Sequence, residues 1–272
     1  MRKLLFLLCL VVAAAHAQEF DVQKVLQDSS YRHLKERIQV KFRGMQPGKF
    51  GEFVKGVDED IVTKDKILAL TFDACGGPHG SEFDRELIAY LKKEKIPATL
   101  FITGLWIKAN PALFQELIRE PLFEIENHGL EHHLCAAAGE TKFGIHGTAN
   151  VSDAMDEIEV NARQIEYYSH RKPVFYRSAT AYTDEECATL ARDLGETIIS
   201  FDVLSGDAVP GTAAVQIKSN IVKGAKNGAI VIMHMNHPKW NGYEGLALAI
   251  PELKKEGYSF VKLEDHPLKG KQ

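Results

Sequence analysis

Five short stretches of this 272-residue chain set groups capable of proton transfer or metal ligation at the ends of apolar runs. In Ile67-Leu68-Ala69-Leu70-Thr71-Phe72-Asp73-Ala74-Cys75-Gly76-Gly77-Pro78, an Ile- and Leu-rich run ends on an aspartate and Gly-Gly-Pro then forces a turn. A buried strand that carries a carboxylate to its C-terminal end and then breaks is how α/β enzymes place catalytic groups. An aspartate that only caps a turn fits the same pattern, so the other stretches decide. In Asn127-His128-Gly129-Leu130-Glu131-His132-His133 the spacing of His128 and His132 would put both imidazoles on one side of a helix or helical turn, able to chelate one metal. Neutral imidazole suits zinc and other borderline divalent ions, although a histidine-rich surface turn has the same composition.

Phe175-Tyr176-Arg177-Ser178-Ala179 ends a short apolar run on an arginine, which near a carboxylate would hold it ionised and oriented. Ser200-Phe201-Asp202-Val203, with Asp207 following, supplies further carboxylates. Gly228 to Pro238 is an apolar run ending in His234 and His237. A strand-end histidine backed by an aspartate is the usual arrangement of a general acid near neutral pH. Any one of these groups reads equally well as a satisfied structural residue. Five at successive strand ends do not.

The elements that must position these groups alternate. Strands are expected at 67–73, Ala98–Thr103, Leu122–Asn127, Val174–Tyr176, Glu196–Val203, Gly228–His234 and Tyr258–Leu263. Between them the apolar spacing predicts helices over Asp84–Lys95, Ala109–Arg119, Ser152–Tyr168, Ala213–Ala225 and Gly245–Lys255. Pro111 stands near the start of its helix, and Thr183-Asp184-Glu185-Glu186 reads as a capping box opening another. This α/β alternation implies a parallel sheet with crossover helices, either a barrel or doubly wound. Residues 18–62 are polar, with helical spacing at Phe20, Val22, Val25 and Leu26 and then a glycine-rich approach; they read as an N-terminal extension with no visible chemistry.

The first residues carry a different message. Arg2-Lys3, the apolar run Leu4–Val12 and Ala15-His16-Ala17 form a signal peptide of residues 1–17, too short to span a bilayer. Cleavage leaves a secreted or periplasmic chain with no membrane anchor. Its net charge of -4 before cleavage, without a basic run, argues against a nucleic-acid partner. Export leaves Cys75, Cys135 and Cys187, an odd number in an oxidising compartment. Cys75 and Cys135 follow motifs expected to meet, so that pair is the disulfide candidate.

Taken in order, strand-Thr-Phe-Asp, His-x-x-x-His, a strand-end arginine, an aspartate and an apolar strand ending in histidine, the chain resembles the polysaccharide deacetylases, the NodB-homology domain or carbohydrate esterase family 4. The resemblance covers roughly residues 65–265, within a catalytic domain assigned to 63–268. It implies a distorted (β/α) barrel with a divalent metal, usually zinc, at the C-terminal face. Asp73 then matches the catalytic base and His128 and His132 the metal ligands. Arg177 matches the residue that tethers the base, His234 the general acid, and Asp202, less surely Asp207, its orienting carboxylate. A backbone N–H after Arg177 would help hold the oxyanion.

The chain departs from the family pattern in four places. Ala74 stands where a second, metal-binding aspartate is usual, Gly129 where Ser or Thr is usual, Ser178-Ala179-Thr180-Ala181-Tyr182 replaces a proline-containing segment, and the fourth motif lacks its tryptophan. A two-histidine metal site with Asp73 close enough to ligate is expected, with Cys75, His79 or His237 as other ways to fill the gap. The expected activity is removal of acetyl groups from N-acetylated sugars of a cell-wall polysaccharide, first of all N-acetylglucosamine of peptidoglycan; chitin and acetylxylan use the same chemistry. A glycan-binding protein that lost turnover, motivated by Ala74, and a metal-independent hydrolase of cyclic amides, for which export is awkward, are the rival readings.

Overall fold

The computed structural model describes residues 19–270; the signal-peptide expectation for 1–17 lies outside them. Nine strands make one sheet: β1 (Val57–Asp58), β2 (Ile67–Ala74), β3 (Ala98–Ile102), β4 (Phe123–Asn127), β5 (Phe175–Tyr176), β6 (Thr197–Ile199), β7 (Val203–Leu204), β8 (Ile230–His234) and β9 (Ser259–Val261). Their order is β7-β8-β2-β3-β4-β5-β6-β1, with β9 pairing the first residues of β2, and every pairing is parallel.

The single strand expected over Glu196–Val203 is broken, and the break shows how the sheet closes on itself. Ser200 N–H donates to Asp58 O in β1, while Asp202 N–H donates to Ile230 O in β8. Within three residues the chain passes from one end of the strand order to the other, which requires the sheet to curl. The result is the curled half-barrel of a mixed α/β fold.

Side chains alternate across β2 as strand geometry demands. Leu68, Leu70, Phe72 and Ala74 pack outward on the helices Arg85–Glu94, Ala214–Gly224 and Gly242–Lys255, through residues such as Leu87, Leu91, Ile217, Leu246 and Leu253. Ile67 and Ala69 share an inner cluster with Phe101, Ile199 and Ile230. Thr71 and Asp73 belong to that same inward set by parity. Both faces are therefore covered, which is why the strand reads as a continuous apolar run.

The helix expected over Ala109–Arg119 is two short ones, Gly104–Ala109 and Pro111–Leu117, the first capped by Thr103 Oγ1 and the second opened by Pro111. The long helix Val151–Ser169 packs beside the N-terminal helices Val22–Gln27 and Ser29–Lys41, and Tyr31 Oη donates to Asp156 at 2.6 Å. In the helix Glu185–Leu194 the N-cap is Asp184, not Thr183; its carboxylate accepts from Cys187 N–H at 2.7 Å.

The expected Cys75–Cys135 bond is not made. Cys135 is bonded to Cys187, and Cys75 is free. The Cys135 N–H donates to Ser178 Oγ and the residue bridges to Thr183, which sets it against the first turn holding Cys187. Among the described residues no helix is long and apolar enough to cross a membrane.

Candidate active site

The C-terminal ends of β2, β4, β5 and β8 converge on one cluster. Asp73 is 2 % exposed at the end of β2, and Arg177, just past β5, is fully buried beside it. Arg177 Nη1 lies 2.8 Å from both Asp73 Oδ1 and Thr71 Oγ1; Nη2 and Nε donate to the carbonyls of Ser200 and Ile199. The guanidinium stands over the Phe101 ring at 4.2 Å. Burial alone would raise the Asp73 carboxyl, but the Arg177 guanidinium opposes it, and the group is held below its ordinary range. Asp73 is thus a buried, oriented carboxylate.

His128 follows β4 directly. Its Nδ1 lies 2.7 Å from the carbonyl oxygen of Arg177. A carbonyl only accepts, so Nδ1 carries the proton and Nε2 keeps its lone pair. Nε2 faces Asp73 Oδ2 at 3.8 Å and Cys75 Sγ at 3.9 Å. His132 stacks edge-on to His128, with ring centroids 4.9 Å apart. Burial lowers both imidazoles, that of His132 strongly, so both are neutral ligands in waiting. The ligand atoms of Cys75, His128 and His132 all lie within 4.8 Å of one another. An imidazole whose far nitrogen is anchored on a carbonyl, beside a second imidazole and a sulfur, is a donor set that fits a divalent zinc-like ion. Burial, Asp73 and Asp207 push the Cys75 thiol up, so without an ion it is uncharged.

The His-x-x-x-His segment is not helical, contrary to the helical turn that its spacing suggests. Glu157, from the long helix behind it, accepts N–H groups from Glu131 and His133 at 2.9–3.1 Å. Gly129 has φ +90°, and a Cβ there would collide with Glu157 Oε1. The glycine that departs from the family pattern is what lets this carboxylate shape the loop. Asn127 anchors the other side, taking the Gly129 N–H on Oδ1 and donating Nδ2 to Ile158 O and Glu196.

His234 closes the cluster as the register partner of Asp73 on the neighbouring strand. Its Nδ1 lies 3.2 Å from Asp207 Oδ1, and its N–H donates to Asp207 Oδ2 at 2.7 Å. Burial opposes the charged imidazole, but Asp207 first and Asp73 next raise His234 above its ordinary value. The orienting carboxylate is therefore Asp207, not Asp202. Asp202 sits opposite Ile230, at the start of β8, where its carboxylate meets Lys226 Nζ at 2.7 Å. The four-residue length of β8 beyond Ile230 separates it from His234. His237 lies flat on Trp240, ring centroids 3.5 Å apart, and His79 is exposed.

The sequence signal for Cys75 was parity. Thr71 and Asp73 face inward, and Cys75 is the next residue of that parity, whereas Ala74 faces the outer core. Taken together, the site holds a carboxylate shifted toward its ionised form, one imidazole shifted toward its protonated form and two shifted toward the neutral form.

The family model for polysaccharide deacetylases matches residues 60–199. A peptidoglycan-N-acetylglucosamine deacetylase of Bacillus cereus is 27% identical over 210 residues, covering 76% of this chain and 90% of that protein. Among solved structures, a family 4 carbohydrate esterase pseudoenzyme from Bacillus anthracis superposes with a TM-score of 0.63 at 22% identity, covering 75% of this chain and 66% of that one. A family 4 acetyl xylan esterase from Clostridium thermocellum, in complex with a cobalt ion, gives 0.60 at 23% identity, covering 74% and 90%. These two likenesses speak for the fold, and the family match, which spans half of the chain, for the lineage: the chain belongs to the polysaccharide deacetylase family.

Proposed function

We propose that this protein is an exported, metal-dependent deacetylase that hydrolyses the acetamide of N-acetylglucosamine in peptidoglycan. The observation that carries the reading is the pairing on adjacent strands of Asp73, bonded to Arg177 at 2.8 Å, with His234, whose Nδ1 lies 3.2 Å from Asp207. The curated relative that acts on peptidoglycan N-acetylglucosamine supports the substrate. The Cys135–Cys187 bond suits the oxidising compartment to which residues 1–17 would direct the chain.

In this reading His128 and His132 hold the ion, with Asp73 alongside. When bound, a divalent ion such as zinc supplies Lewis-acid polarisation of the acetamide carbonyl and of water. Asp73 accepts the proton of the attacking water, and Arg177 keeps it ionised and aimed. His234 donates a proton to the departing sugar amine, and Asp207 keeps that proton on the ring until it is needed. Because Asp73 and His234 stand side by side on adjacent strand ends, both groups can serve one acetamide placed over them.

A second reading, glycan binding without turnover, is favoured by Ala74 and by the likeness to a pseudoenzyme. The retained Asp73, Arg177, Asp207 and His234 speak for turnover, since binding alone needs no matched acid and base. The test is acetate release from N-acetylated peptidoglycan, chitin oligomers and acetylxylan, with added zinc and with chelator. Zinc-dependent release, fastest from peptidoglycan, is expected. Binding without acetate under any metal would leave the binding protein, and release that survives chelation would remove the metal from the mechanism.

A further inference from the structure

We infer that Cys75 is the third protein ligand of the metal site, replacing with a thiolate the carboxylate that Ala74 cannot supply. The inference rests on the proposal that His128 and His132 bind an ion, and it changes what kind of ion the site prefers.

Three observations meet here. Position 74 is turned the wrong way: Ala74 is fully buried in the core between sheet and helices, so a ligand is not to be sought on its side of the strand. Cys75 is the next residue on the side that already carries Thr71 and Asp73, and it is partly open to the cleft. Its Sγ lies 3.9 Å from the lone-pair nitrogen of His128, and with His132 the three donor atoms stay within 4.8 Å of one another. Around one tetrahedral zinc, ordinary Zn–S and Zn–N lengths put sulfur and nitrogen about 3.6 Å apart, close to the 3.9 Å between Cys75 Sγ and His128 Nε2; the widest spacing in the group, up to 4.8 Å, has to close by about 1 Å on binding.

The competing donors are engaged elsewhere. Asp73 Oδ1 is bonded to Arg177; its Oδ2 lies 3.8 Å from His128 Nε2, but Asp73 does not belong to the three-atom group that Cys75 forms with both histidines. His237 lies flat on Trp240 and His79 is exposed. Assigning the third position to Cys75 also frees Asp73 to act purely as a base. On binding, the Sγ–H proton leaves to solvent as the Sγ–metal contact forms, so the ion gains an anionic ligand in place of the missing aspartate. One thiolate and two imidazoles leave a fourth position open for water or substrate, the pattern of catalytic rather than structural zinc. The soft sulfur steers the site toward zinc or cobalt and away from magnesium, calcium and manganese. It also gives Cys75, the cysteine outside the disulfide among the described residues, a role.

The test loads the signal-free chain, its disulfide intact, with cobalt and records the near-ultraviolet spectrum, then measures zinc affinity by chelator competition. Wild type is expected to show a thiolate-to-cobalt charge-transfer band. Cys75→Ala should lose it and bind zinc roughly tenfold or more weakly, at least what loss of an outer-shell partner costs. Cys75→Asp should keep zinc affinity closer to wild type without the band, which separates loss of a ligand from loss of folding. Zinc should likewise shield Cys75 from alkylation in the wild type. Cobalt bound without that band, or zinc held as tightly by Cys75→Ala as by wild type, overturns the thiolate ligand while leaving the histidine site standing. Wild type that binds neither ion overturns both.

Discussion

His234 and Asp73 are register partners on adjacent parallel strands, and each is held in its charged form by a different neighbour. Arg177 lowers Asp73 against the effect of burial, and Asp207 raises His234 against the same effect. Opposite shifts widen the pH range over which the proposed base is ionised and the proposed acid protonated, the condition for both to work in one turnover. A raised histidine loses its proton only at higher pH, so the alkaline limb of activity lies above that of an ordinary imidazole. Asp207→Asn removes the anion that raises it, and the alkaline limb should move to lower pH, with kcat down by about 10²–10⁴-fold where His234 is then neutral. Asp202→Asn should leave the profile in place, because its partner is Lys226. A pH–rate profile of acetate release separates the two variants; an unmoved limb in Asp207→Asn would show that His234 is not the acid.

The Arg177 side chain makes four hydrogen bonds and has no exposure, so its pair with Asp73 stands in low dielectric. Breaking such a pair from one side leaves a buried charge unmatched, which costs about 3–5 kcal/mol. Arg177→Met is expected to lose that much stability in urea unfolding and to abolish acetate release. Arg177→Lys should rescue neither fully, since one ammonium cannot reach Thr71, Asp73 and two carbonyls together. A loss under about 1 kcal/mol for Arg177→Met would mean that the pair is solvated, as at a surface.

Much of this architecture is legible from residue types. The strand over 67–73 and the helix over Asp84–Lys95 follow from apolar period, and the structure has them as Ile67–Ala74 and Arg85–Glu94. What escaped depends on distant groups. The His128–His132 spacing fits a helix, but Glu157, from another element, takes the N–H groups of the segment and bends it into a loop. The resemblance offered Asp202, and after it Asp207, as the partner of His234; the crossing between β6 and β7 leaves Asp202 opposite the start of β8, and Asp207 is the carboxylate that reaches His234. Cysteine pairing is equally non-local, since Cys135 meets Cys187 through contacts of Ser178 and Thr183.

Gly129 offers a local test of that bent loop. At φ +90° any L side chain is strained, by about 1–3 kcal/mol. Its Cβ would also displace the Glu157 carboxylate that gathers the loop. Gly129→Ala should therefore lower stability by that amount and weaken zinc binding by more than the stability loss alone explains, because His128 and His132 lose their common direction. Calorimetric Tm together with zinc competition measures both. Unchanged affinity in a destabilised variant would separate the loop shape from the ligands.

The disulfide ties this same loop to the start of the helix Glu185–Leu194. Cys135 lies two residues beyond His133, and a separation of 52 residues closes a long loop in the unfolded chain. In the chain-entropy account such a bond contributes about 4 kcal/mol. Reduction, or the double change Cys135→Ala and Cys187→Ala, should lower the unfolding free energy by that order, whereas Cys75→Ala should leave it nearly unchanged because Cys75 takes no part in the bond. Denaturant unfolding of the three proteins, with zinc removed by chelator so that ligand binding does not add to stability, isolates the covalent contribution. If the double variant unfolds at the same denaturant concentration as the oxidised wild type, the loop is held by Glu157 and Asn127 alone. The disulfide would then secure the histidine segment against opening and not the fold against unfolding, and faster exchange of the Glu131 and His133 amides on reduction would be its visible effect.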